Sequence, residues 1–186
     1  MKDLKKILEE KRAILSGHFL LSSGLHSPNY VQCALALSDT ALSKKLGKEL
    51  AKKWKGPKPD LIVSPAMGGI IIGHETASAM KIPFLFTERE NGEMKLRRGF
   101  SVEKGQKIII VEDVFTTGKS TMEVVNLLKK YKAKVLGALS VVNRMGDKKL
   151  PLKNFSLLKL EIKTYTPDKC PLCKQGLPCV KPGSRK

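Results

Sequence analysis

One run of residues, Lys107 to Thr121 with the sequence K-I-I-I-V-E-D-V-F-T-T-G-K-S-T, constrains the fold more than any other part of the chain. Its apolar residues 108–111 are continuous, which is typical of a strand buried on both faces of a sheet. Two acids, Glu112 and Asp113, follow at the carboxyl end of this strand. We therefore expect a buried strand that delivers two carboxylates to one edge of a sheet.

A helix is expected directly after this strand, because Met122, Val125 and Leu128 recur at helical spacing. Residues 116–121 are then the turn that opens the helix, and such a turn points free N–H groups and the positive end of the helix dipole into the crevice. The acids could bind the vicinal hydroxyls of a sugar or a hydrated Mg²⁺, and the turn a phosphate. A ribose 5-phosphate is the natural ligand; the alternative is a pair of ordinary strand-end charges before a routine turn.

Strand and helix patterns alternate from residue 61 onward. Strands are predicted at 61–64, 83–87, 107–112 and 134–142, with a further one at 155–163, helices at 69–80 and 118–131, and a long loop, here called the lid segment, at 88–104. Repeated βα units imply an α/β fold, a parallel sheet with helices on both faces. Ligands of such sheets bind beyond the carboxyl ends of the strands. Polar candidates fall there, namely Ser64, Arg89, Glu112 and Arg144.

The amino-terminal part contains smaller elements. We predict a helix over residues 2–15, short strands at His18–Ser22 and Asn29–Cys33, and a helix capped by Ser38 or Asp39 that ends near Trp54. The 186 residues are interpreted as one domain, with hood elements at 1–38, an α/β core at about 39–163 and a Cys-, Pro- and Lys-rich tail at 164–186.

The charge balance of 35 basic and 17 acidic residues, a net +18, raises the possibility of a nucleic-acid partner. An aromatic content of 5% argues against base-stacking surfaces, and many lysines are scattered along amphipathic helices as a solvated face. We therefore expect small polyanionic ligands and no nucleic acid. No apolar stretch has the length of a membrane span and the first residues lack a signal-peptide profile, so a cytoplasmic location without membrane contact is expected.

The run from Lys107 to Thr121 resembles the phosphoribosyl pyrophosphate (PRPP) signature of the type I phosphoribosyltransferases, and the chain is most similar to their orotate phosphoribosyltransferases. Four further blocks carry the resemblance, in the order in which the family has them. Gly17 to Gln32 is similar to the hood that covers the base, and Ser64 to Ile70 is similar to the pyrophosphate loop. Glu88 to Phe100 is similar to the mobile catalytic loop, and Val141 to Arg144 ends on the arginine that the family uses for the orotate carboxylate.

The resemblance implies a pentosyltransferase of pyrimidine (UMP) biosynthesis that transfers ribose 5-phosphate from PRPP to orotate, giving orotidine 5′-monophosphate and pyrophosphate. It further implies Mg²⁺ as cofactor, carried by PRPP without direct protein ligands, and a homodimer in which the lid segment reaches the neighbouring site. Two alternatives stay open: another type I phosphoribosyltransferase for a purine or pyrimidine, and a PRPP-sensing regulator that binds nucleic acid.

Site residues follow from the same resemblance. PRPP binding is assigned to Met67, Gly68, Arg89, Lys95, Glu112, Asp113, Val114, Phe115, Thr116, Thr117, Gly118, Lys119 and Ser120. Orotate binding is assigned to Tyr30, Thr116 and Arg144, and catalysis to Lys95 and Asp113. The lid segment departs from the family pattern R-K-x-x-K-x-H, since it reads R-E-N-G-E-M-K-L-R-R. Lys95, Arg97 or Arg98 could therefore serve as the loop cation.

The tail contains Cys170 and Cys173 at the spacing of a zinc knuckle, followed by Cys179. These three thiols are zinc candidates but are one ligand short of a closed site. The fourth would have to be Cys33, a histidine or a residue of a second subunit, and the alternative is a tail that only packs over the core. The three histidines, at 18, 26 and 74, have no catalytic partner in the sequence and are interpreted as structural.

Overall fold

The computed structural model describes residues 3–21 and 23–182. The helices in this part of the chain are α1 Leu4–Glu10, α2 Ala34–Leu37, α3 Thr40–Lys53, α4 Gly69–Met80, α5 Lys119–Lys130 and α6 Pro171–Lys174. The strands are β1 Ile14–Leu20, β2 His26–Val31, β3 Leu61–Pro65, β4 Phe84–Glu90, β5 Glu93–Leu96, β6 Lys107–Phe115, β7 Lys134–Asn143 and β8 Asn154–Lys159. None of the helices described is long and apolar enough to cross a bilayer.

Six strands form the central sheet in the order β5-β4-β3-β6-β7-β8. All pairs are parallel except β4 with β5, which form an antiparallel hairpin at one edge. The chain leaves β3 toward β4 on one side and returns to β6 on the other side of β3. A topological switch point therefore lies between β3 and β6, which is where α/β sheets of this kind bind ligands.

Strand β6 is buried on both faces of the sheet, as its apolar run predicts. Ile109 and Val111 pack with α3 and α4, whereas Ile108 and Ile110 pack with α5 on the opposite face. Each of these four side chains is fully buried. The alternation follows from the two-residue period of a strand, and it confirms the predicted parallel sheet with helices on both faces.

A smaller antiparallel sheet, the N-terminal hairpin, consists of β1 and β2. The tail borders both of its edges. Val180 pairs with β1, where the Leu20 amide donates to the Val180 carbonyl at 2.9 Å. Tyr165 pairs with β2, where it exchanges backbone hydrogen bonds of 2.8 and 2.9 Å with His26. The tail therefore packs against both edges of the N-terminal hairpin.

Several predicted boundaries are wrong. The first helix ends at Glu10 and not at residue 15, because Arg12 takes a positive φ of 54° and the chain turns into β1. Strand β6 continues three residues beyond the prediction, to Phe115, because β7 pairs with it as far as Asn143. The predicted strands at 18–22 and 29–33 are instead β1 and β2, and Ser22 lies outside the described residues.

The lid segment is also more regular than the predicted loop. Its first half continues β4 and returns as β5, with Asn91 and Gly92 at the tip of the hairpin. Both residues have positive φ, 50° and 84°, which is the requirement of a tight two-residue hairpin turn. Other predictions are confirmed: α4 begins and ends where expected, and the Asp39 carboxylate caps α3 by accepting from the Leu42 amide at 3.0 Å.

Candidate active site

A crevice of about 150 Å³ opens at the switch point, between the carboxyl ends of β3 and β6. Three segments form it: the loop after β3, the end of β6 and the turn into α5. Its lining residues are Pro65, Ala66, Gly68, Gly69, Glu112, Asp113, Val114, Thr116, Gly118, Lys119 and Ser120. The crevice thus combines two carboxylates with backbone amides and hydroxyl groups.

The loop after β3 approaches the second acid of the pair closely. A Cβ atom at Gly68 would lie 2.7 Å from Asp113 Oδ1, so any larger residue would collide with the carboxylate. The backbone of this loop can therefore reach a ligand that the carboxylate also touches. Met67, the neighbour of Gly68, is 83% exposed and does not line the crevice.

The two acids point to different faces of β6, because consecutive residues of a strand alternate. Glu112 is turned toward α5 and is 7% exposed, and the Thr121 hydroxyl donates to its Oε2 at 2.6 Å. Burial raises the pKa of Glu112 to about 7, with smaller contributions from the negative charges of Asp113 and Glu123. Asp113 is half-buried at the loop after β3, and desolvation raises the pKa of its carboxyl group as well.

The turn into α5 depends on Gly118. This residue has a φ of 78°, and a Cβ atom there would lie 2.5 Å from Leu150 Cδ2. Within the turn, the Lys119 amide donates to Thr117 Oγ1 at 3.3 Å, and Gly118 forms the N-terminus of the helix without a side-chain cap. The first amides of α5 are consequently directed into the crevice, where an anion can accept from them.

Arg89 of the lid segment is held away from the crevice. Its guanidinium forms a two-pronged ion pair with Glu123 of α5, one prong being Nη1 to Oε1 at 3.1 Å, and also donates to the Gly92 carbonyl at 2.9 Å. The hydrogen bonds to Glu123 raise the pKa of Arg89.

Three further cations of the lid segment are paired with acids of the same segment. Lys95 Nζ donates to Glu90 Oε2 at 2.8 Å, and Arg97 Nε lies 3.3 Å from Oε1 of the same glutamate. Arg98 forms a second pair, with hydrogen bonds of 2.7 and 2.8 Å to Glu88. None of these cations lines the crevice of the described residues.

Arg144 follows β7, and its backbone amide donates to the Phe115 carbonyl at 3.0 Å. Its side chain is half-buried close to Tyr30 of the N-terminal hairpin, and no carboxylate of the described residues pairs with it. Burial lowers the pKa of Arg144, although a guanidinium stays protonated at any ordinary pH. The Tyr30 ring is tilted against Phe19 with 5.8 Å between centroids.

The structure thus unites part of the predicted site. Eight predicted residues line the crevice: Gly68, Glu112, Asp113, Val114, Thr116, Gly118, Lys119 and Ser120. Phe115 is fully buried in the core, so only its main chain could meet a ligand. Sequence reasoning missed Thr121, which binds Glu112, and Glu123, which binds Arg89. The signal that could have found them is that both are polar residues in the first turns of the helix after Gly118. The tail cysteines lie apart from the crevice, beside the N-terminal hairpin.

Comparison with known proteins identifies the class. The family described as "Phosphoribosyl transferase domain" matches residues 35–166. The fold is similar to the crystal structure of orotate phosphoribosyltransferase from Aeropyrum pernix, with a TM-score of 0.72 and 24% identity over 85% of this chain and 94% of that one. It is also similar to the crystal structure of adenine phosphoribosyltransferase from Thermoanaerobacter pseudethanolicus, with a TM-score of 0.68 and 19% identity over 83% of this chain and 99% of that one. The family match over most of the chain defines a phosphoribosyltransferase, and the fold agrees with it.

Curated relatives narrow this class further. The chain is 48% identical to the orotate phosphoribosyltransferase of Carboxydothermus hydrogenoformans, over 99% of this chain and 98% of the relative. It is 50% identical to that of Thermotoga maritima, over 98% of both. The chain belongs to the orotate phosphoribosyltransferase family.

Proposed function

We propose that this protein is an orotate phosphoribosyltransferase, which transfers ribose 5-phosphate from PRPP to orotate and so forms orotidine 5′-monophosphate and pyrophosphate in pyrimidine biosynthesis. The observation that carries this proposal is the crevice at the switch point. It places the carboxylates of Glu112 and Asp113 beside the amide-rich turn around Gly118. A phosphorylated pentose needs that pair of recognition elements side by side.

The 5′-phosphate of PRPP would lie on the turn from Thr116 to Ser120. Backbone amides of the turn and the hydroxyl groups of Thr116, Thr117 and Ser120 are its donors, and the positive end of α5 adds a favourable field. Lys119 contributes a formal charge. Val114 and Phe115 complete this segment through their main chains.

The ribose hydroxyls would donate to Glu112 and Asp113. Carboxylate oxygens are also the donors that Mg²⁺ prefers, so the same two side chains suit a hydrated ion that arrives with PRPP. When bound, Mg²⁺ supplies positive charge to the diphosphate. We assign Asp113 a catalytic role, because a carboxylate beside the ribose stabilises the positive charge that develops on the sugar ring as its bond to pyrophosphate breaks.

The departing pyrophosphate gains negative charge in the same step. Backbone amides at Met67 and Gly68 would contact it from one side, and Arg89 and Lys95 from the lid segment. This role requires Arg89 to exchange Glu123 for pyrophosphate and Lys95 to leave Glu90. We assign Lys95 the second catalytic role, since it would meet the leaving group only after the lid segment closes.

Orotate would lie between the crevice and the N-terminal hairpin. Arg144 suits its carboxylate, because a guanidinium offers two parallel N–H donors in the plane that a carboxylate accepts. Tyr30, close to Arg144, offers an aromatic surface to the pyrimidine ring, and the Thr116 hydroxyl reaches the base from the phosphate side. A purine lacks the carboxylate, so this arginine would select orotate.

We further propose a cytoplasmic homodimer of single-domain subunits, in which each lid segment serves the neighbouring site. Two exposed apolar side chains one turn apart, Met67 at 83% and Ile71 at 44%, support a subunit contact at the start of α4. Nucleic acid is not an expected partner, since the basic residues are scattered and four cations of the lid segment are already paired with acids, namely Arg89, Lys95, Arg97 and Arg98.

The decisive assay follows the loss of orotate absorbance after PRPP is added, with and without Mg²⁺. We expect turnover only with all three components. Adenine, hypoxanthine and uracil are the matched alternative substrates, and each lacks the carboxylate that Arg144 would bind. Turnover of a purine in preference to orotate would overturn the proposed substrate, and a complex with DNA that survives physiological salt would favour a regulator instead.

A further inference from the structure

A group of metal-ligating side chains lies outside the active site, where the tail meets the N-terminal hairpin. It consists of His18 from β1, His26 from β2, and Cys170 and Cys173 from the tail. One donor atom from each residue lies within 4.8 Å of all the others. Two of these residues are among the three histidines that were interpreted as structural from the sequence. Cys33, another possible fourth ligand, lies instead against the Asp113 carbonyl.

We propose that His18, His26, Cys170 and Cys173 bind a structural Zn²⁺ ion that fastens the tail to the N-terminal hairpin. Two thiolates and two imidazoles are a preferred ligand set of closed zinc sites, and the spacing Cys170-x-x-Cys173 is that of a zinc knuckle. His18 and His26, added to the two cysteines, give the four ligands that tetrahedral zinc requires.

The distances between the donor atoms agree with one central ion. With Zn–S of about 2.3 Å and Zn–N of about 2.0–2.1 Å, tetrahedral geometry places sulfur and nitrogen ligands roughly 3.6 Å apart. Cys170 Sγ and Cys173 Sγ lie 3.6 and 3.7 Å from His18 Nε2, and Cys173 Sγ lies 3.3 Å from His26 Nδ1. The two nitrogens are 2.9 Å apart, so a shift of about half an ångström suffices for the ion.

The surroundings of the ligands favour a metal over a bare polar cluster. His18 Nδ1 lies 2.8 Å from the Leu177 carbonyl, which fixes the proton on Nδ1 and leaves the Nε2 lone pair directed at the cluster. His18, His26 and Cys170 are buried, at 4%, 8% and 0% exposure. Zn²⁺ with two thiolates and two neutral imidazoles has no net charge, so the site can be buried at little electrostatic cost.

The ion would join elements that are far apart in sequence but adjacent in space. The same hairpin contains Tyr30, which lies close to Arg144, and its outer edges pair with Tyr165 and Val180 of the tail. A four-ligand cross-link there would stabilise the hairpin beside the base site without contact with the reacting atoms. Cys179 Sγ, 3.9 Å from His26 Nε2, lies outside the ligand set and would act as a partner of that imidazole.

Metal content tests the proposal directly. Full-length protein purified without added metal or chelator should contain one zinc per chain by plasma mass spectrometry. Co²⁺ added to the chelator-stripped protein should give the intense visible bands of a tetrahedral site, with a thiolate-to-cobalt charge-transfer band in the near ultraviolet. A stripped chain that neither binds Zn²⁺ in equimolar competition with a chelating dye nor shows that charge-transfer band would overturn the proposal.

Matched variants assign the ligands. Cys170→Ser and Cys173→Ser should each weaken Zn²⁺ binding more than about 100-fold, beyond what loss of an outer partner causes. Cys179→Ser should weaken it by about 10-fold at most, and His74→Gln, at an exposed histidine of α4, should leave it unchanged. Retention of one zinc per chain in both the Cys170 and Cys173 variants would refute the assignment.

The wild-type protein provides a measurement that does not depend on the folding of any variant. Removal of zinc should lower the midpoint of thermal unfolding and open the tail to limited proteolysis between residues 164 and 182, and equimolar Zn²⁺ should reverse both effects. Identical midpoints and cleavage rates for the stripped and the zinc-loaded protein would show that no ion fastens the tail.

Discussion

Glu112 has a carboxyl group that its surroundings leave only about half ionised at neutral pH, because burial raises its pKa to about 7. It lies under α5, where burial removes most of its hydration, and among the described residues only the Thr121 hydroxyl donates to it. Its pKa of about 7 in the folded protein is well above its ordinary value of 4.5. Burial of a carboxyl group without a cation is costly, and such a cost at the centre of a crevice indicates a functional requirement.

The pKa of Glu112 predicts a pH-dependent cost to the fold. Below pH 4.5 Glu112 is largely protonated in both the folded and the unfolded chain, so its ionisation does not affect the free energy of unfolding. Because its pKa is raised in the folded protein, the free energy of unfolding falls as the pH rises from 4.5 toward about 7. Glu112→Gln should therefore unfold like the wild type near pH 4 and be more stable at pH 8.5, by an amount on the order of 3 kcal/mol. Urea unfolding at both pH values measures this difference, and a constant difference across the range would contradict the burial argument.

Arg144 supports a second prediction at the residue scale. Arg144→Ala should lower kcat/KM for orotate by about 100-fold or more, because a half-buried two-pronged pair with a carboxylate is lost. The dissociation constant of PRPP should change little, since Arg144 does not line the PRPP crevice. Arg144→Lys is the control that retains the charge but lacks the planar fork. Equal losses for orotate and PRPP would argue against a role in base recognition.

Single residues were predictable from sequence to the extent that their neighbours in the chain decide their role. Gly118 and the acids Glu112 and Asp113 were predicted because strand, acids and turn are contiguous. The Thr121 bond to Glu112 was not predicted, nor was the cluster of His18 with Cys170, which joins residues 152 positions apart. These two contacts depend on how the sheet and the tail pack, and the hydrophobic periodicity of the sequence does not predict that packing.

At the scale of elements, the lid segment begins as a charged hairpin in which Arg89 and Lys95 are bound to acids. The pair between Arg89 and Glu123 ties this hairpin to α5, directly beside the turn proposed for the 5′-phosphate. The side chains of Arg89 and Glu123 are 31% and 26% exposed, so solvent partly screens the pair and it contributes at most about 1 kcal/mol. A pyrophosphate with several charges can therefore displace Glu123 from Arg89.

The competition between Glu123 and pyrophosphate can be measured. Glu123→Gln should free Arg89 and tighten pyrophosphate binding by about 2- to 5-fold, the range of a partly exposed ion pair. Isothermal titration with pyrophosphate and Mg²⁺ gives the constant. In an Arg89→Ala background the same Glu123 substitution should have no effect. A gain of equal size in that background would mean that Glu123 repels pyrophosphate without acting through Arg89.

Lys95 gives the second prediction for the lid segment. Lys95→Ala should lower kcat by about 100- to 1000-fold, the effect of losing one charge-stabilising donor in the transition state, while KM for PRPP changes less than about 3-fold. Arg97→Ala and Arg98→Ala are matched controls from the same hairpin and should each have much smaller effects on kcat. An unchanged kcat in Lys95→Ala would transfer the role to one of these arginines.

The lid segment also shows where sequence reasoning at this scale stops. Residues 88–104 contain mixed charges without clear alternation and were predicted to be a loop, although Asn91-Gly92 is a strong hairpin signal. Strand β5 exists because β4 provides a free edge to pair with, which is a tertiary condition. Strands and helices with strong apolar patterns, such as β3 and α4, were predicted within one residue.

For the whole molecule, the sequence predicted a sheet between two layers of helices but not the order of the strands within the sheet. Alternating strands and helices imply a parallel sheet covered on both faces, whereas the order β5-β4-β3-β6-β7-β8, and hence the switch point at β3 and β6, required the structure. The tail was an open question. It closes over the N-terminal hairpin through backbone pairs at His26 and Val180, because both outer edges of a two-stranded sheet have unpaired amides and carbonyls.

Shared active sites are a property of the assembly and predict complementation between two inactive chains. If the lid segment of one subunit serves the other, a mixed dimer of Lys95→Ala and Arg144→Ala chains has one site with both residues intact and one with neither. Random pairing of equal amounts makes about half of the dimers mixed, so the co-refolded mixture should recover about one quarter of wild-type activity. Native mass spectrometry measures the mixed fraction independently.

The control pairs Lys95→Ala chains with chains that contain both substitutions. No arrangement of that pair gives a complete site, so its activity should stay at the level of the parent variants even where mixed dimers form. If the lid segment acts within its own subunit, neither mixture recovers activity, because every crevice then lacks Lys95 or Arg144. Recovery limited to the first mixture, in proportion to its mixed dimers, therefore identifies a site built by two subunits and separates it from two independent sites in one assembly.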